Sequence, residues 1–239
     1  AVGAFALDAN TTSNNLTAVG YNALGGNTGG SENTGIGRQA LLTNSTGSYN
    51  EALGVNALYQ NTTADYNTAC GNSALAANTT GAYNTAVGAD SVKTATTATK
   101  NTGIGYEALE ATTTGSYNTA VGSNCMKTNT TGASNVAVGQ GALNLNTTGS
   151  NNVAIGVNVL DANTTAGNNT AVGFQAMTDN TTGALNAALG REALFKNTEG
   201  NQNTACGAYT LYENLTGIEN TAVGFVALEK NTASYNTAV

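Results

Sequence analysis

The chain has 239 residues, a formal net charge of -7 and only 9% charged residues, against roughly 25% in an average soluble domain. No basic patch is present that would release counterions from phosphate, so a nucleic-acid partner is not expected, and the acidic balance also disfavours anionic lipids. Histidine is absent, which removes the usual general base and the commonest zinc ligand. We therefore expect no enzymatic activity, no cofactor and no metal site.

The phrase Asn-Thr-Ala-Val-Gly returns along the chain at a fixed interval of 17 residues, until a final repeat that is one residue shorter. A period of this size is typical of stacked-repeat proteins, in which each unit contacts only its neighbours. We predict a single continuous β-solenoid over residues 1–239, as a segment of a longer fibre, with no membrane insertion. The glycine that ends the phrase falls at Gly3, Gly20, Gly37, Gly54, Gly71, Gly88, Gly105, Gly122, Gly139, Gly156, Gly173, Gly190, Gly207 and Gly224.

The repeat favours strands over helices. A helical hairpin needs about 33 residues, twice the length available, and Asn, Thr, Gly and Val are poor helix formers. Short β segments of about five residues, joined by corners that contain Gly and Asn, fit 17 residues per coil. The prediction is an all-β fold, a parallel β-solenoid or β-roll of about 14 rungs. The recurring glycine is expected to adopt a positive φ at a corner, or to let neighbouring rungs approach closely.

Two positions are apolar in every repeat and are predicted to form the core. The leucine position, of which Leu58 is an example, lies four residues after the glycine, and the valine position, of which Val121 is an example, lies directly before it. Cys70 and Cys206 occupy valine positions, and Cys125 replaces an alanine. All three cysteines are interpreted as small buried hydrophobes.

A segment Asn-Thr-Thr follows the leucine position in most repeats, and its asparagine is called the first asparagine position. The asparagine is lost within residues 91–100. The segment matches the N-x-[ST] glycosylation acceptor, but Asn-Thr-Thr-Gly is also good corner chemistry. Two interpretations stay open: a structural turn, or a stripe of glycans along one edge on Asn or Thr. The candidate acceptors are Asn10, Asn44, Asn61, Asn78, Asn129, Asn146, Asn163, Asn180 and Asn214.

A second asparagine position, of which Asn118 is an example, holds asparagine in nearly every repeat, with Leu16 as an exception. Identical amides stacked at the spacing of the rungs can hydrogen-bond along the axis of the solenoid. The sequence therefore predicts an inward-facing asparagine ladder.

The residue before the valine position is alanine in nearly every repeat, Gly35 and Gly103 being exceptions. If Val121 points inward, Ala120 points outward, because adjacent strand residues face opposite sides. A strand that is apolar on both sides is normally covered on both, so these alanines are predicted to contact another chain. The alternative is a tight corner of the same coil. The candidate contact residues are Ala18, Ala52, Ala69, Ala86, Ala120, Ala137, Ala154, Ala171, Ala188, Ala205 and Ala222.

The phrase Asn220-Thr221-Ala222-Val223-Gly224, followed by Ala227-Leu228, resembles the head repeats of trimeric autotransporter adhesins and the repeats of phage and virus tail-fibre proteins. The similarity covers essentially the whole chain, although this repeat is longer and contains Asn-Thr-Thr-Gly in addition. The resemblance implies a left-handed parallel β-roll, three chains about one axis, an extracellular or virion-surface location and a role in adhesion or display. It also implies that Val121-type residues fill each roll and that Ala120-type residues line the contact between chains.

Three functions are consistent with these patterns. The first is a structural extracellular fibre or filament subunit that associates with copies of itself, as a trimer or a filament. The second is an adhesin or tail-fibre shaft that binds surface glycans. Tyr49, Tyr66 and Tyr83 are expected to stack on consecutive rungs, either as contacts for sugar or as packing at the surface. The third is an ice-binding solenoid that uses the stacked threonines of the Asn-Thr-Thr segments.

Overall fold

The computed structural model describes all 239 residues and consists of strands and turns. No helix in it has the length and apolarity needed to cross a bilayer. Each repeat contributes one strand, which is three residues long except for the last, of two. The strands are β1 (Thr17–Val19), β2 (Thr34–Ile36), β3 (Glu51–Leu53), β4 (Thr68–Cys70), β5 (Thr85–Val87), β6 (Thr102–Ile104), β7 (Thr119–Val121), β8 (Val136–Val138), β9 (Val153–Ile155), β10 (Thr170–Val172), β11 (Ala187–Leu189), β12 (Thr204–Cys206), β13 (Thr221–Val223) and β14 (Thr237–Ala238).

The chain forms two compact units, Ala1–Asn118 and Thr119–Val239. In each unit the strands pair in parallel and in chain order, β1–β6 in the first and β7–β14 in the second. The register sets like on like, with Thr17 opposite Thr34 in the first unit and Val136 opposite Val153 in the second. The predicted parallel β-solenoid with a 17-residue repeat and about 14 rungs is confirmed. Its left-handedness, and a single continuous solenoid over residues 1–239, stay predictions.

The strands are shorter than the five residues expected, because turns make up the remainder of each coil. Residues at the leucine position adopt left-handed backbone conformations, with φ of 51° at Leu24 and 49° at Leu58. Their N–H groups still donate to the neighbouring rung, from Leu24 to the Ala40 carbonyl at 2.9 Å and from Leu58 to that of Ala74 at 3.0 Å. A left-handed leucine costs about 1–2 kcal/mol, and burial of its side chain contributes about 1.5–3 kcal/mol in return.

The core of each coil is narrow. Between the first and last repeats, residues at the leucine position are fully buried, as at Leu24 and Leu58, and so are the alanines of the strand that face them. Where glycine replaces that alanine there is little room: a Cβ added at Gly35 would lie 3.3 Å from Leu24 Cγ, and one at Gly103 would lie 2.6 Å from Val92 Cγ2. The space between strand and leucine file therefore accepts a methyl group and nothing larger.

The valine position faces outward, so the prediction that Val121-type residues fill the coil is wrong. Val19 is 39% exposed and Leu53 is 51% exposed, whereas Ala18 and Ala52 are 1% exposed. The narrow core explains the orientation, since a branched side chain cannot fit where only a methyl group does. The predicted core is therefore correct at the leucine position. Within the strand, the alanine is buried and the valine position faces outward, which is the opposite of the prediction.

The recurring glycine satisfies both expectations made for it. Gly122 has a φ of 140°, a conformation that side chains strongly disfavour, and an added Cβ would lie 2.5 Å from the carbonyl oxygen of Gly139. The strand thus ends at a residue that turns the chain while the backbones of two rungs approach closely.

Candidate interaction surfaces

The first and third residues of each strand point away from the core and form what we call the outer sheet face of each unit. In β1–β13 the first residue is mostly threonine and the third is aliphatic or cysteine; Glu51 is the only charged residue among them. Apolar exposure is substantial: Ile36 is 37%, Ile104 is 39% and Ile155 is 40% exposed. The face also carries a shallow depression of about 330 Å³ over β2–β4. Nearly uncharged, regular and partly apolar, it has the character of an interface.

The eleven alanines predicted to contact another chain are buried inside their own coil, so that prediction is wrong. The exposed fraction does not exceed 1% at Ala18, Ala52, Ala69, Ala86, Ala120, Ala137, Ala154, Ala171, Ala188, Ala205 and Ala222. These residues are small because the core beside the leucine position is narrow. Close packing within their own coil therefore accounts for them, as in the alternative of a tight corner. The signal that could have oriented the strand is Glu51: it shares a face with the valine position, and a lone carboxylate belongs in solvent.

The first asparagine position forms an amide ladder that the sequence did not predict. Asn61 Nδ2 donates to Asn44 Oδ1 at 2.7 Å and to the Ala64 carbonyl at 3.1 Å, and Asn78 Nδ2 donates to Asn61 Oδ1 at 2.9 Å. Equivalent bonds run through the second unit, as from Asn163 to Asn146 at 2.8 Å. Each amide therefore bonds both its own turn and the neighbouring rung.

Burial of the asparagines in the Asn-Thr-Thr segments supports the structural turn and excludes the Asn-linked form of the glycan stripe in the folded chain, whereas a stripe on threonine stays a prediction. Glycan attachment needs the Asn Nδ2 atom to be accessible, and the amides with no exposure at all are Asn44, Asn61, Asn78, Asn129, Asn146, Asn163, Asn180 and Asn214. A glycan stripe at these positions is therefore wrong for the folded chain. Asn10, in the first repeat, is half-buried and bonds within its own turn.

The predicted ladder at the second asparagine position is present and has a further role. Asn152 donates its backbone N–H to Asn135 Oδ1 at 2.9 Å, its own Oδ1 accepts from the N–H of Asn169 at 3.0 Å, and its Nδ2 donates to the Ala166 carbonyl at 2.9 Å. The buried amide thus satisfies backbone groups at the start of each strand, where the turn leaves them without sheet partners.

The first ladder is interrupted where the sequence loses its asparagine. Ala95 stands in place of Asn next to Asn78, and Thr112 occupies the position one rung beyond. Asn78 Oδ1 and Thr112 Oγ1 are both buried without a hydrogen-bond partner. Ala95 therefore separates two unsatisfied polar atoms, and each such atom costs about 1–3 kcal/mol.

The threonines of the Asn-Thr-Thr segments differ in exposure. The hydroxyl of the first is engaged, as when Thr62 Oγ1 donates to the Thr79 carbonyl at 2.9 Å and Thr147 Oγ1 donates to that of Thr164 at 3.0 Å. The second is exposed, as at Thr148 and Thr165. These segments therefore offer one exposed threonine file, and the strands offer another that the sequence reading missed.

The tyrosines of three consecutive rungs stack, as expected. The ring centroids of Tyr49 and Tyr66 lie 4.8 Å apart with parallel planes, and those of Tyr66 and Tyr83 lie 5.2 Å apart at 4°. Further along, the Lys100 Nζ atom lies 5.1 Å from the ring centre of Tyr117. Because the stacked rings cover one another's faces, the middle ring has no free face for a sugar.

The cysteines are all free, but only one is a core residue. Cys125 is buried, and burial raises the pKa of its thiol to about 12. Cys70 and Cys206 are half-buried and lie on the outer sheet face, so interpreting them as buried hydrophobes is wrong. Their orientation follows from the outward direction of the valine position.

A cationic and aromatic cluster marks the surface of the second unit. The Arg191 guanidinium lies 5.6 Å from the ring centre of Phe174 and 5.5 Å from that of Tyr209, and its Nε donates to Glu192 at 2.9 Å. The Glu192 hydrogen bond is the main cause that raises the pKa of Arg191. Since the charge is neutralised and both neighbouring rings are occupied, the cluster is a packing feature of the rungs.

The structure contains no group of three or more Cys, Asp or Glu side chains that could hold a metal ion. The absence of enzymatic activity stays a prediction. No protein-family model, curated protein or solved structure matches the chain.

Proposed function

We propose that the chain is a structural subunit of an extracellular fibre and that copies associate through their outer sheet faces. The observation that carries the proposal is that this face combines exposed branched side chains with a near-absence of charge, Glu51 alone excepted. Charged residues elsewhere lie on the turns. The extracellular location draws on the resemblance to adhesin and tail-fibre repeats.

The apolar character of the face is strongest at β8 and β9. There both outward positions are branched, with Val136 38%, Val138 36% and Ile155 40% exposed. Burying such side chains contributes about 25 cal/mol per Å² of apolar surface. This patch is therefore the expected centre of the contact between copies.

A second copy is the occupant that fits the face best. Each unit repeats similar residue types at successive rungs, about 4.8 Å apart. Another copy presents features at the same interval, so one favourable contact recurs along the whole face. A partner without this period would match only a few rungs. In a closed symmetric assembly, identical residues of the different copies would also lie at the same level and contact one another at every rung.

Substitution of the patch tests the proposal. In the double variant Val138→Lys/Ile155→Lys, each copy would place two ammonium groups in the contact, where desolvation and mutual repulsion disfavour association. Sedimentation velocity should show that the wild-type chain is an assembly and that this variant is a monomer, with unchanged circular dichroism.

The matched control is Thr148→Lys/Thr165→Lys. It adds the same charge to the same two neighbouring repeats, at exposed turn positions away from the outer sheet face. This variant should assemble like the wild type. Equal loss of assembly in both variants would assign the effect to net charge and contradict the proposed interface.

The outer sheet face also favours a second function, ice binding. In the first unit, Thr17, Thr34, Thr68, Thr85 and Thr102 place hydroxyls on the strands beside a file of aliphatic side chains and Cys70, with Glu51 interrupting the threonines at β3. A regular array of hydroxyl and methyl groups on a sheet can order water. A monomeric wild-type chain with thermal hysteresis would favour this function over the fibre subunit, because both uses need the same face to be free.

A further inference from the structure

A notch interrupts the surface of the first unit where one repeat carries small side chains. Ala76 and Ala77 follow Leu75, while the corresponding positions hold Tyr59 and Gln60 one repeat earlier and Lys93 and Thr94 one repeat later. The resulting cavity has a volume of about 330 Å³ and is lined by all six of these side chains. It lies on the turns and shares no lining residue with the depression on the outer sheet face.

The tyrosine beside the notch has a ring free of aromatic partners. Positions equivalent to Tyr59 are held in the second unit by Phe195 and Tyr212, whose rings stack in parallel with centroids 5.2 Å apart. At the level where Tyr212 stacks on Phe195, Tyr59 meets Ala76, which has no ring. A flat ligand at that level would lie against Tyr59 as the second aromatic ring lies against the first.

The remaining lining is polar and close to neutral. Lys93 Nζ lies 3.0 Å from Asp90 Oδ1, so the one cation at the notch already has an anionic partner. Gln60 and Asn56 supply uncharged donors and acceptors, and the Asn56 Oδ1 atom is buried without a hydrogen-bond partner. Thr94 Oγ1 already donates to the Glu110 carbonyl at 2.8 Å and therefore offers an acceptor. This chemistry suits a ligand with many hydroxyl groups and no net charge.

We propose that the notch binds one neutral pyranose sugar of a glycan, with the apolar face of the ring on Tyr59 and its hydroxyls on the surrounding amide and hydroxyl groups. The axial C–H bonds of a pyranose carry partial positive charge and pack well on the electron-rich face of tyrosine. The size of a single sugar and the shallow site correspond to a Kd on the order of 1 mM. This site does not depend on association through the outer sheet face.

Saturation-transfer NMR on the full chain tests the proposal with four probes: the methyl glycosides of glucose, galactose, mannose and N-acetylglucosamine. At least one should receive saturation, with the effect strongest on the protons of one ring face. Tyr59→Ala removes the stacking surface and should weaken binding about tenfold. Ala76→Phe supplies a ring at the ligand's level and should abolish binding while the chain stays folded, as the Phe195–Tyr212 pair shows.

The matched control is Tyr117→Ala, which removes an exposed tyrosine whose equivalents one repeat away are Lys100 and Ser134, so that no other aromatic ring is uncovered. It should bind the sugar as the wild type does. The proposal is overturned if none of the four glycosides receives saturation, or if binding survives Ala76→Phe. It is also overturned if Tyr117→Ala weakens binding as much as Tyr59→Ala, or if benzyl alcohol, an aromatic probe, binds and the sugars do not.

Discussion

Asparagine has two distinct structural roles in this chain. At the first position it joins a turn to the neighbouring rung through side-chain amides, as between Asn61 and Asn44. At the second, its oxygen accepts a backbone N–H of the next rung, as Asn152 does from Asn169. Both amides are fully buried. Their hydrogen bonds replace the water that solvates asparagine in the unfolded chain, which makes the ladders sensitive to any gap.

Ala95→Asn is expected to stabilise the first unit. The new Nδ2 would donate to Asn78 Oδ1, the new Oδ1 would accept from Thr112 Oγ1, and both of these atoms now lack partners. The turn can hold this residue, since Asn61 is accommodated in the same way beside Ala64. The free energy of unfolding should rise by about 1 kcal/mol in urea titrations.

Ala95→Leu is the control for that substitution. It fills the same buried site with a side chain of comparable length but offers no hydrogen bond to Asn78 or Thr112. It should lower the free energy of unfolding, because it overpacks the turn and leaves both polar atoms unsatisfied. If Ala95→Asn destabilises the chain as much as Ala95→Leu does, the ladder does not account for the conformation of this turn.

The cysteines provide a chemical test of orientation. In the monomeric Val138→Lys/Ile155→Lys variant, iodoacetamide near pH 8 should modify Cys70 and Cys206 and leave Cys125 intact in the folded chain. Burial raises the pKa of Cys125 from 9.0 to about 12, which keeps the thiol protonated and unreactive. Mass spectrometry of the peptides reports the modification, and the denatured chain, in which all three react, is the control. Early modification of Cys125 would contradict its burial.

The same pKa shift makes the free energy of unfolding depend on pH. The folded-state pKa of Cys125 lies above the unfolded value, so its contribution is fully present below about pH 9 and is lost as the pH rises from 9 towards 12. Removing the thiol in Cys125→Ala would therefore flatten the decline of stability in this alkaline range.

At the scale of the strand, the three residues between the second asparagine position and the glycine show which features of the fold can be predicted from the sequence and which cannot. The 17-residue period predicts the rungs, their register and the buried leucine file without further information. The facing of the strand is different, because Thr-Ala-Val allows either side to be the core. A preference for large residues inside favours valine, whereas the space left beside Leu24 admits only a methyl group.

A second limit concerns the turns. Alternation of faces holds only in extended backbone, and Ala57-Leu58 is not extended, since Leu58 has a φ of 49°. Both side chains therefore reach the core, although they are adjacent in sequence. The residue types do not predict a leucine with left-handed backbone conformation, because residues with a Cβ rarely adopt it. The notch at Ala76 is similarly invisible until the neighbouring side chains are placed in space.

Two substitutions in β8 test the facing of the strand. Ala137→Val would force a branched side chain into the narrow core and should lower the free energy of unfolding by about 1–3 kcal/mol. Val138→Ala changes an exposed residue and should alter it by about 0.5 kcal/mol or less. Denaturant unfolding should be followed at low protein concentration, because association adds a concentration-dependent contribution. A larger loss of stability in Val138→Ala than in Ala137→Val would show that the valine position, and not the alanine before it, lies in the core.

At the scale of the whole molecule, the low content of charged residues and the apolar character of the outer sheet face both favour association between copies. Charged residues are few, and the outer sheet face is almost free of them, so the chain has little to keep copies apart where its apolar residues are exposed. The turns carry the charges, the stacked tyrosines and the notch. A fibre built through the sheet would leave these features on its exterior, where a sugar could reach Tyr59.

The molar mass in solution, measured by light scattering after size-exclusion chromatography, tests the central claim most directly. Association through the outer sheet face predicts an integer multiple, greater than one, of the 23.8 kDa chain mass. It also predicts a return to the single-chain mass in Val138→Lys/Ile155→Lys and no change in Thr148→Lys/Thr165→Lys. A wild-type mass of 23.8 kDa at every concentration would contradict it.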